Sequence, residues 1–323
     1  MRWPLKNRSP QRLCFAQAGE QVAYVLTDAP PTSSHRPRVL RWGQLAGSAP
    51  AAGEVIGLLG PEAYQVLKVD TPNVPADELK AATRWQFKDV MPSVDGDDFT
   101  LDVMHVGGDV ERPHRELFVI TAPNRAIRAL TSSLAPFKAE THIVDIRETA
   151  LRNLLNQQMR RDQIAQRACA AVLVGHGQDL LVVCANDELH YTRRLEADPK
   201  LLERARGGGT GTTAAMPLGF EYQPGGDFEI NEAESPFIVE LQRSFDVWDR
   251  SWPQLPLARL YVLAEEGSED IAGLVQRELG VQAFALDPLA GFAGTPPAPE
   301  GSLPRAALLP LLGAALRVDE RKA

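Results

Sequence analysis

The chain has 323 residues, which at about 150 residues per domain suggests roughly two domains with real cores. Its composition, 44% hydrophobic and 24% charged, excludes collagen, coiled coil and wholesale disorder, and a net charge of −8 with no basic-aromatic patch argues against nucleic acid as a partner. The most apolar stretch, 304–316, is shorter than the ~20 residues a bilayer crossing needs, and Cys14, Cys169 and Cys184 form neither a disulfide frame nor a C-x-x-C metal site.

In chain order, residues 12–26 predict two short strands around a turn at Ala18-Gly19-Glu20. A proline- and serine-rich loop over 28–37 leads to a strand at 39–42, and further strands are expected at 55–59 and 64–69. Asp77 is the N-cap candidate of a helix over 78–90 that stops at Met91-Pro92, with Leu79, Ala82, Trp85 and Phe87 as its apolar side. Strands follow at 99–105 and 116–121, Asn124 is expected to cap a helix over 125–134, and a strand at 141–145 enters a helix over 147–159. The second half predicts strands at 170–174 and 180–185 around the loop Gly175-His176-Gly177-Gln178-Asp179, then a third at 188–195 after an Asn186-Asp187 turn. Residues 206–228 are glycine-rich with neither helix nor strand period and read as a mobile insertion. A helix over 236–248 presents Ile238, Leu241, Phe245 and Trp248, followed by a strand at 258–264, a helix over 270–279 closed by Gly280, a strand at 281–286 and a last helix over 306–316. Both halves place strand hairpins before helices, the plan of duplicated α/β halves around a cleft.

Few of these residues offer chemistry. Gly207 to Gly211 matches no phosphate-loop pattern, and no G-x-S-x-G marks an activated serine. The glycines around His176 suit either a plain tight turn or a phosphate cradle of backbone N–H groups, and His176 has no second ligand at metal spacing. Cys14 and Cys184 fall within strands, as small buried apolar groups rather than nucleophiles. Glu265, Glu266, Glu269 and Asp270 stand where acids complement a helix dipole. Trp85, Phe87, Val90 and Met91 read either as core or as an exposed anchor for a peptide. Arg2, Lys6, Arg8, Arg12, Arg36, Arg38 and Arg41 against Glu20 and Asp28 make the first 42 residues basic, a solvated face or a seat on anionic lipid.

The segment YQVLKVDTPNVPADELKAATRWQFKDVMP (64–92), with FTLDVMHV, ELFVITAPNRAIRAL and THIVDIRETALRNLL after it, resembles the actin-like assembly proteins of type IV pili, the PilM family, and within it the MshI branch of mannose-sensitive hemagglutinin pili. The similarity continues through FIVELQRSFDVWD, ARLYVLAEE and LGVQAFALDP and spares 31–52 and 206–228. The resemblance implies an α/β, actin-like (FtsA/PilM-type) two-lobe fold: a first lobe over 1–63 and 142–165 with the C-terminal helix 303–317, a small α/β subdomain over 64–141 inserted in that lobe, and a second lobe over 166–302. It also implies a cytoplasmic scaffold, peripheral to the inner membrane, that holds the N-terminal cytoplasmic tail of a bitopic PilN-like partner through Trp85, Phe87, Val90 and Met91, with the pilus assembly ATPases as further candidate partners.

Nucleotide-binding members carry an Asp and a nearby Gly in each lobe's first hairpin, and a glycine-rich turn on the adenosine side. Here Ala16 and Ala18 fall at the first pair, Leu173 at the second Asp with Gly175, His176 and Gly177 in the turn, and Glu265-Glu266-Gly267 at the third turn. The expectation is a degenerate site, no ATPase activity and no required cofactor, with ATP and Mg²⁺ doubtful. The alternative is an ATP-binding switch that keeps affinity through Gly175, Gly177 and Gly267, and a sugar or acetate kinase is disfavoured by Ala16 and Leu173.

Overall fold

The computed structural model describes residues 10–32, 34–90, 99–107, 115–175, 178–207 and 235–318, without the side chains of 88–90. His176, Gly177, Met91, the Val90 side chain, Arg2, Lys6, Arg8 and nearly all of 206–228 therefore lie outside the described residues.

Two five-stranded sheets share one plan. In the first, β1 (Arg12–Ala18), β2 (Gln21–Thr27), β3 (Val39–Gln44), β4 (Glu54–Leu58) and β8 (Ile143–Asp145) run in the order β3-β2-β1-β4-β8. In the second, β9 (Ala168–Val174), β10 (Asp179–Ala185), β11 (Glu188–Leu195), β12 (Leu257–Ala264) and β13 (Ala283–Ala285) run β11-β10-β9-β12-β13, again an antiparallel meander joined to parallel strands. The central strands are continuous apolar runs because both faces are covered: every residue of β10 is buried. Asn186 and Asp187 both adopt positive φ, +52° and +67°, the geometry of the tight hairpin turn expected between β10 and β11.

A third sheet, β5-β7-β6, is built from β5 (Gln65–Asp70), β6 (Phe99–His105) and β7 (Glu116–Pro123), which lie in sequence between β4 and β8. Helix α1 (Leu79–Val90) closes a small core of Leu79, Phe87, Leu101, Leu117 and Val119 on it. Here the expected apolar side of α1 needs correction. The buried stripe is Leu79, Thr83 and Phe87, spaced i, i+4, i+8, and Trp85 points away from it, 74% exposed. Thr83 is tolerated inside because its hydroxyl donates to the Leu79 carbonyl at 2.8 Å. Asn124 is likewise not a cap: it is the first residue of α2 (Asn124–Ser132), and its side chain accepts a hydrogen bond from the Thr100 hydroxyl.

Helix α3 (Arg147–Arg161) packs against β9, β10 and β11 of the second sheet and against α7 (Leu309–Ala315), which lies on β1, β2 and β4 of the first. One continuous core therefore runs through both lobes. Two asparagines of α3 reach other elements: Asn153 Nδ2 donates to the Gly313 carbonyl at 3.0 Å and Asn156 Nδ2 to that of Asp187 at 2.7 Å, while Asn156 Oδ1 is buried without a partner among the described residues. Three more helices flank the second sheet: α4 (Leu201–Arg206), α5 (Pro236–Ser251) and α6 (Ser268–Leu279). The expected face of α5, Ile238, Leu241, Phe245 and Trp248, is buried together with Phe237.

The basic N-terminal stretch is largely consumed by the fold. Arg12 is buried and binds Glu54, the Ala315 carbonyl that ends α7 and the Arg317 carbonyl just beyond it. Arg36 donates to the Ala290 and Phe292 carbonyls, and Arg41 pairs with Glu300. Glu300 in turn pairs backbone with Trp42 and Gln44, so its proline-rich segment covers the outer edge of β3. Arg12, Arg36 and Arg41 are thus not free to seat the protein on lipid. No helix among the described residues is long and apolar enough to cross a membrane.

Candidate functional site

Strands β9 and β12 are parallel neighbours with Val174 opposite Ala264, so the turns that follow them open at the same edge of the second sheet. Strands β1 and β4 are likewise parallel, which sets the end of β1 beside the short 3-10 turn Pro61–Ala63 in the first lobe. Of the described degenerate positions, Ala16, Ala18 and Leu173 lie in β1 and β9, and Gly175 and Glu265-Glu266-Gly267 in the turns after β9 and β12.

Among the described positions the chain's own groups take up some of the turn donors, while a Cβ at Gly175 would meet nothing within 4 Å. Ala16 sits opposite Ala23 inside the β1–β2 ladder, and the positive-φ residue of that turn is Gly19, one residue beyond Ala18. Leu173 is 1% exposed and lies between Leu180 and Leu263. Gly175 has φ +108°, a conformation that needs glycine, but its amide is spent within the turn: it donates to Asp179 Oδ1 at 2.8 Å. At the third turn Gly267 has φ +70°, and a Cβ built there would lie 2.1 Å from Leu202 Cδ1. Leu202 of α4 thus lies directly on the glycine turn. Glu265 accepts the Arg305 amide at 2.9 Å, and Arg206 at the end of α4 bridges Glu266 and Asp270.

The lobes also meet through a buried charged cluster that local sequence patterns did not mark. Arg147 opens α3 and points its guanidinium at the Gln178 carbonyl, 3.4 and 3.5 Å away. Arg194 of β11 reaches the other way, to the Pro61 carbonyl at 2.7 Å, over the Tyr64 ring at 4.5 Å and toward Glu148 Oε1 at 3.6 Å. The Tyr64 hydroxyl donates to Glu148 Oε2 at 2.5 Å and accepts the Arg147 amide at 3.1 Å. Burial raises the Glu148 carboxyl and lowers the Arg147 guanidinium from their usual ranges. Burial also pushes Asp179 up to about 6, against the pull of the Gly175 amide and Arg147. Among the described residues, the one ion pair in the cluster that bridges the lobes is that of Arg194 with Glu148. Beside it lies a cavity of about 410 Å³ lined by Gln178, Arg194, Leu195, Glu196 and Ala197.

Of the expected partner anchors, the two whose side chains are described, Trp85 and Phe87, lie on opposite sides of α1. Phe87 is 6% exposed in the core under α1, so it cannot be a docking anchor; Trp85 stands free on the outer side of the same helix. Leu67 and Val74, both 36–37% exposed, belong to the same inserted stretch. The cysteines are buried as expected, and burial raises their thiols, Cys169 to about 11. Cys169 and Cys184, far apart in sequence, are cross-strand partners in the β9–β10 ladder.

No protein-family model matches the sequence, and neither does any curated protein. Solved structures do match in fold. A chain of a PilM-PilN type IV pilus biogenesis complex superposes at TM-score 0.65 and 16% identity, over 96% of this chain and 100% of that one. The cytoplasmic domain of EpsL, an inner membrane component of the type II secretion system of Vibrio cholerae, covers 96% of both chains at 13% identity and TM-score 0.44. A Bacteroides thetaiotaomicron protein with actin-like ATPase fold and unknown function matches at 8% identity over 96% of this chain and 99% of that one, TM-score 0.44. The two lobes of equal strand order and the inserted third sheet are the actin-like fold.

Proposed function

We propose that the protein is a non-catalytic, actin-like scaffold of a type IV pilus platform, of the mannose-sensitive hemagglutinin branch. It works on the cytoplasmic side of the inner membrane by holding the N-terminal tail of a bitopic PilN-like protein, with the pilus assembly ATPases as further partners. The observation that supports this reading is the loss of the groups a Mg²⁺-nucleotide needs. A Mg²⁺-nucleotide needs carboxylates to hold the cation through water and free backbone amides against its phosphates. The residues present do not fit it: Ala16 and Leu173 offer no oxygen, the Gly175 amide is bound to Asp179, and Leu202 fills the space over Gly267. Arg194 already faces Glu148 at 3.6 Å, which lowers the positive potential it offers a triphosphate. Gly175 is the feature that favours an ATP-binding switch, and its amide is committed.

The partner half rests on the fold shared with a pilus biogenesis protein and on Trp85. A tryptophan 74% exposed on a helix whose other face is anchored in a core is the type of side chain that carries interface energy. The test is fluorescence anisotropy of a labelled peptide, the cytoplasmic tail of the PilN-like protein from the same organism, with the full chain. Trp85→Ala is expected to weaken binding at least about tenfold, about 1.4 kcal/mol, while stability stays within about 0.5 kcal/mol because the side chain packs little of the core. Unchanged affinity would remove Trp85 from the interface, and no binding by the parent protein would contradict the scaffold reading.

A further inference from the structure

We propose that Arg194 and Arg147 form a latch across the cleft mouth that holds the two lobes closed without any ligand. Each arginine is rooted in one lobe and bonded to the other, in opposite directions. Arg194 stands in the second lobe between Leu195 and Arg193 of an antiparallel ladder, and its guanidinium ends on Pro61, Tyr64 and Glu148 of the first. Arg147 begins the helix that leaves β8 of the first lobe, and its guanidinium ends on the Gln178 carbonyl of the second.

The two halves are unequal. At 2.7 Å the bond to the Pro61 carbonyl is a full charge-assisted hydrogen bond, and the guanidinium over the Tyr64 ring adds a cation–π contact in a partly desolvated place. The contacts of Arg147 at 3.4 and 3.5 Å are long and weaker. Arg194 is therefore the principal bolt. Glu148, 1% exposed, faces the Arg194 guanidinium and accepts the Tyr64 hydroxyl, which in turn accepts the backbone amide of Arg147 at the start of α3. At the base the lobes are fused by the core around α3, so closure at the mouth is what these side chains can decide.

Tyr64 also stands at the root of the third sheet, one residue before β5, and Gly107, just past β6, donates to the Leu189 carbonyl of β11 at 2.7 Å. The same latch thus fixes the inserted sheet against the second lobe. This proposal concerns lobe closure and does not depend on what the protein binds.

The test is a pulsed electron-resonance distance between nitroxides on Glu20→Cys in the first lobe and Gln276→Cys on α6, both exposed, in the otherwise intact chain. The native thiols Cys14, Cys169 and Cys184 are fully buried and stay unlabelled. The parent is expected to give one narrow distribution with no ligand added. Arg194→Met should lengthen and broaden it, Arg147→Met should do so less, and Arg194→Lys, which keeps the charge facing Glu148 but loses the planar fork, should fall between parent and Arg194→Met. Glu148→Gln, which keeps the Tyr64 bond and removes the charge, is the milder variant that decides the matter if Arg194→Met does not fold. A distribution identical to the parent in the folded variants, or a broad one in the parent itself, overturns the latch.

Discussion

Gly313→Ala is expected to destabilise the protein by about 2–3 kcal/mol, although the same exchange in an open helix gains about 1 kcal/mol from propensity. Gly313 lies in the middle of α7, where a Cβ would be 2.1 Å from the Ala150 carbonyl oxygen and 2.6 Å from its carbon. The obstacle is the backbone of α3, which cannot rotate aside as a side chain would. The two helices must separate, and separation also stretches the 3.0 Å bond from Asn153 to the Gly313 carbonyl and loosens the core that joins the lobes. Gly273 of α6 is the internal contrast: the nearest atom to a Cβ there is the tip of the flexible Arg277 side chain, 3.6 Å away. Gly273→Ala should therefore raise stability by up to about 1 kcal/mol. Urea midpoints at unchanged slope measure both, and a stabilising Gly313→Ala would show that the close helix crossing is not real.

Arg12→Met is expected to cost about 3–5 kcal/mol, the range found when one partner of a buried pair is removed. The guanidinium is 2% exposed in β1, donates to Glu54 Oε2 at 2.5 Å, and donates again to the carbonyls of Ala315 and Arg317 at 3.0 and 2.5 Å. Ala315 is the last residue of α7 and Arg317 lies two residues beyond it, at a helix end where acceptors lack intrahelical donors and positive charge offsets the dipole. Methionine retains the apolar stem, so the loss reads the charged head and not a cavity. Arg317 does the same in reverse, reaching Asp145 Oδ2 at 3.0 Å, the carboxylate that also binds the Ile146 amide ahead of α3. The C-terminal helix is thus pinned at one end by residues from opposite ends of the chain. Thermal melting followed by circular dichroism is the measurement, and a change below about 1 kcal/mol would place Arg12 among the dispensable surface pairs.

What could be read from the sequence divides along the range of the interactions. The hairpins β1–β2 and β9–β10–β11, the helices α3 and α5 and the closing Gly280 are signalled by alternation, by a spaced apolar face or by turn residues within a few positions. Arg12 gave the opposite signal: a cation beside the chain start suggested solvent or lipid, because two of its three partners lie more than 300 positions away and the third, Glu54, in another strand. Thr83 concealed the true face of α1, since a hydroxyl satisfied by its own helix counts as polar in any pattern. Helix α4 was hidden by the glycine run beside it, and only Leu201 and Ala205, four apart and both buried, betray it. That short helix is what covers Gly267. The latch residues carry no common spacing, and only the fold brings Tyr64, Arg147, Glu148, Asp179 and Arg194 together.

The central claim is that this actin-like chain lacks the groups that hold a Mg²⁺-nucleotide and takes none. Isothermal titration calorimetry of the full chain with Mg²⁺-ATP tests it most directly. The account predicts no saturable binding up to about 1 mM ligand, a binding free energy no better than about −4 kcal/mol. A dissociation constant below about 100 μM, roughly −5.5 kcal/mol, would contradict it, because Leu202 would then have to leave Gly267 and the Gly175 amide would have to leave Asp179.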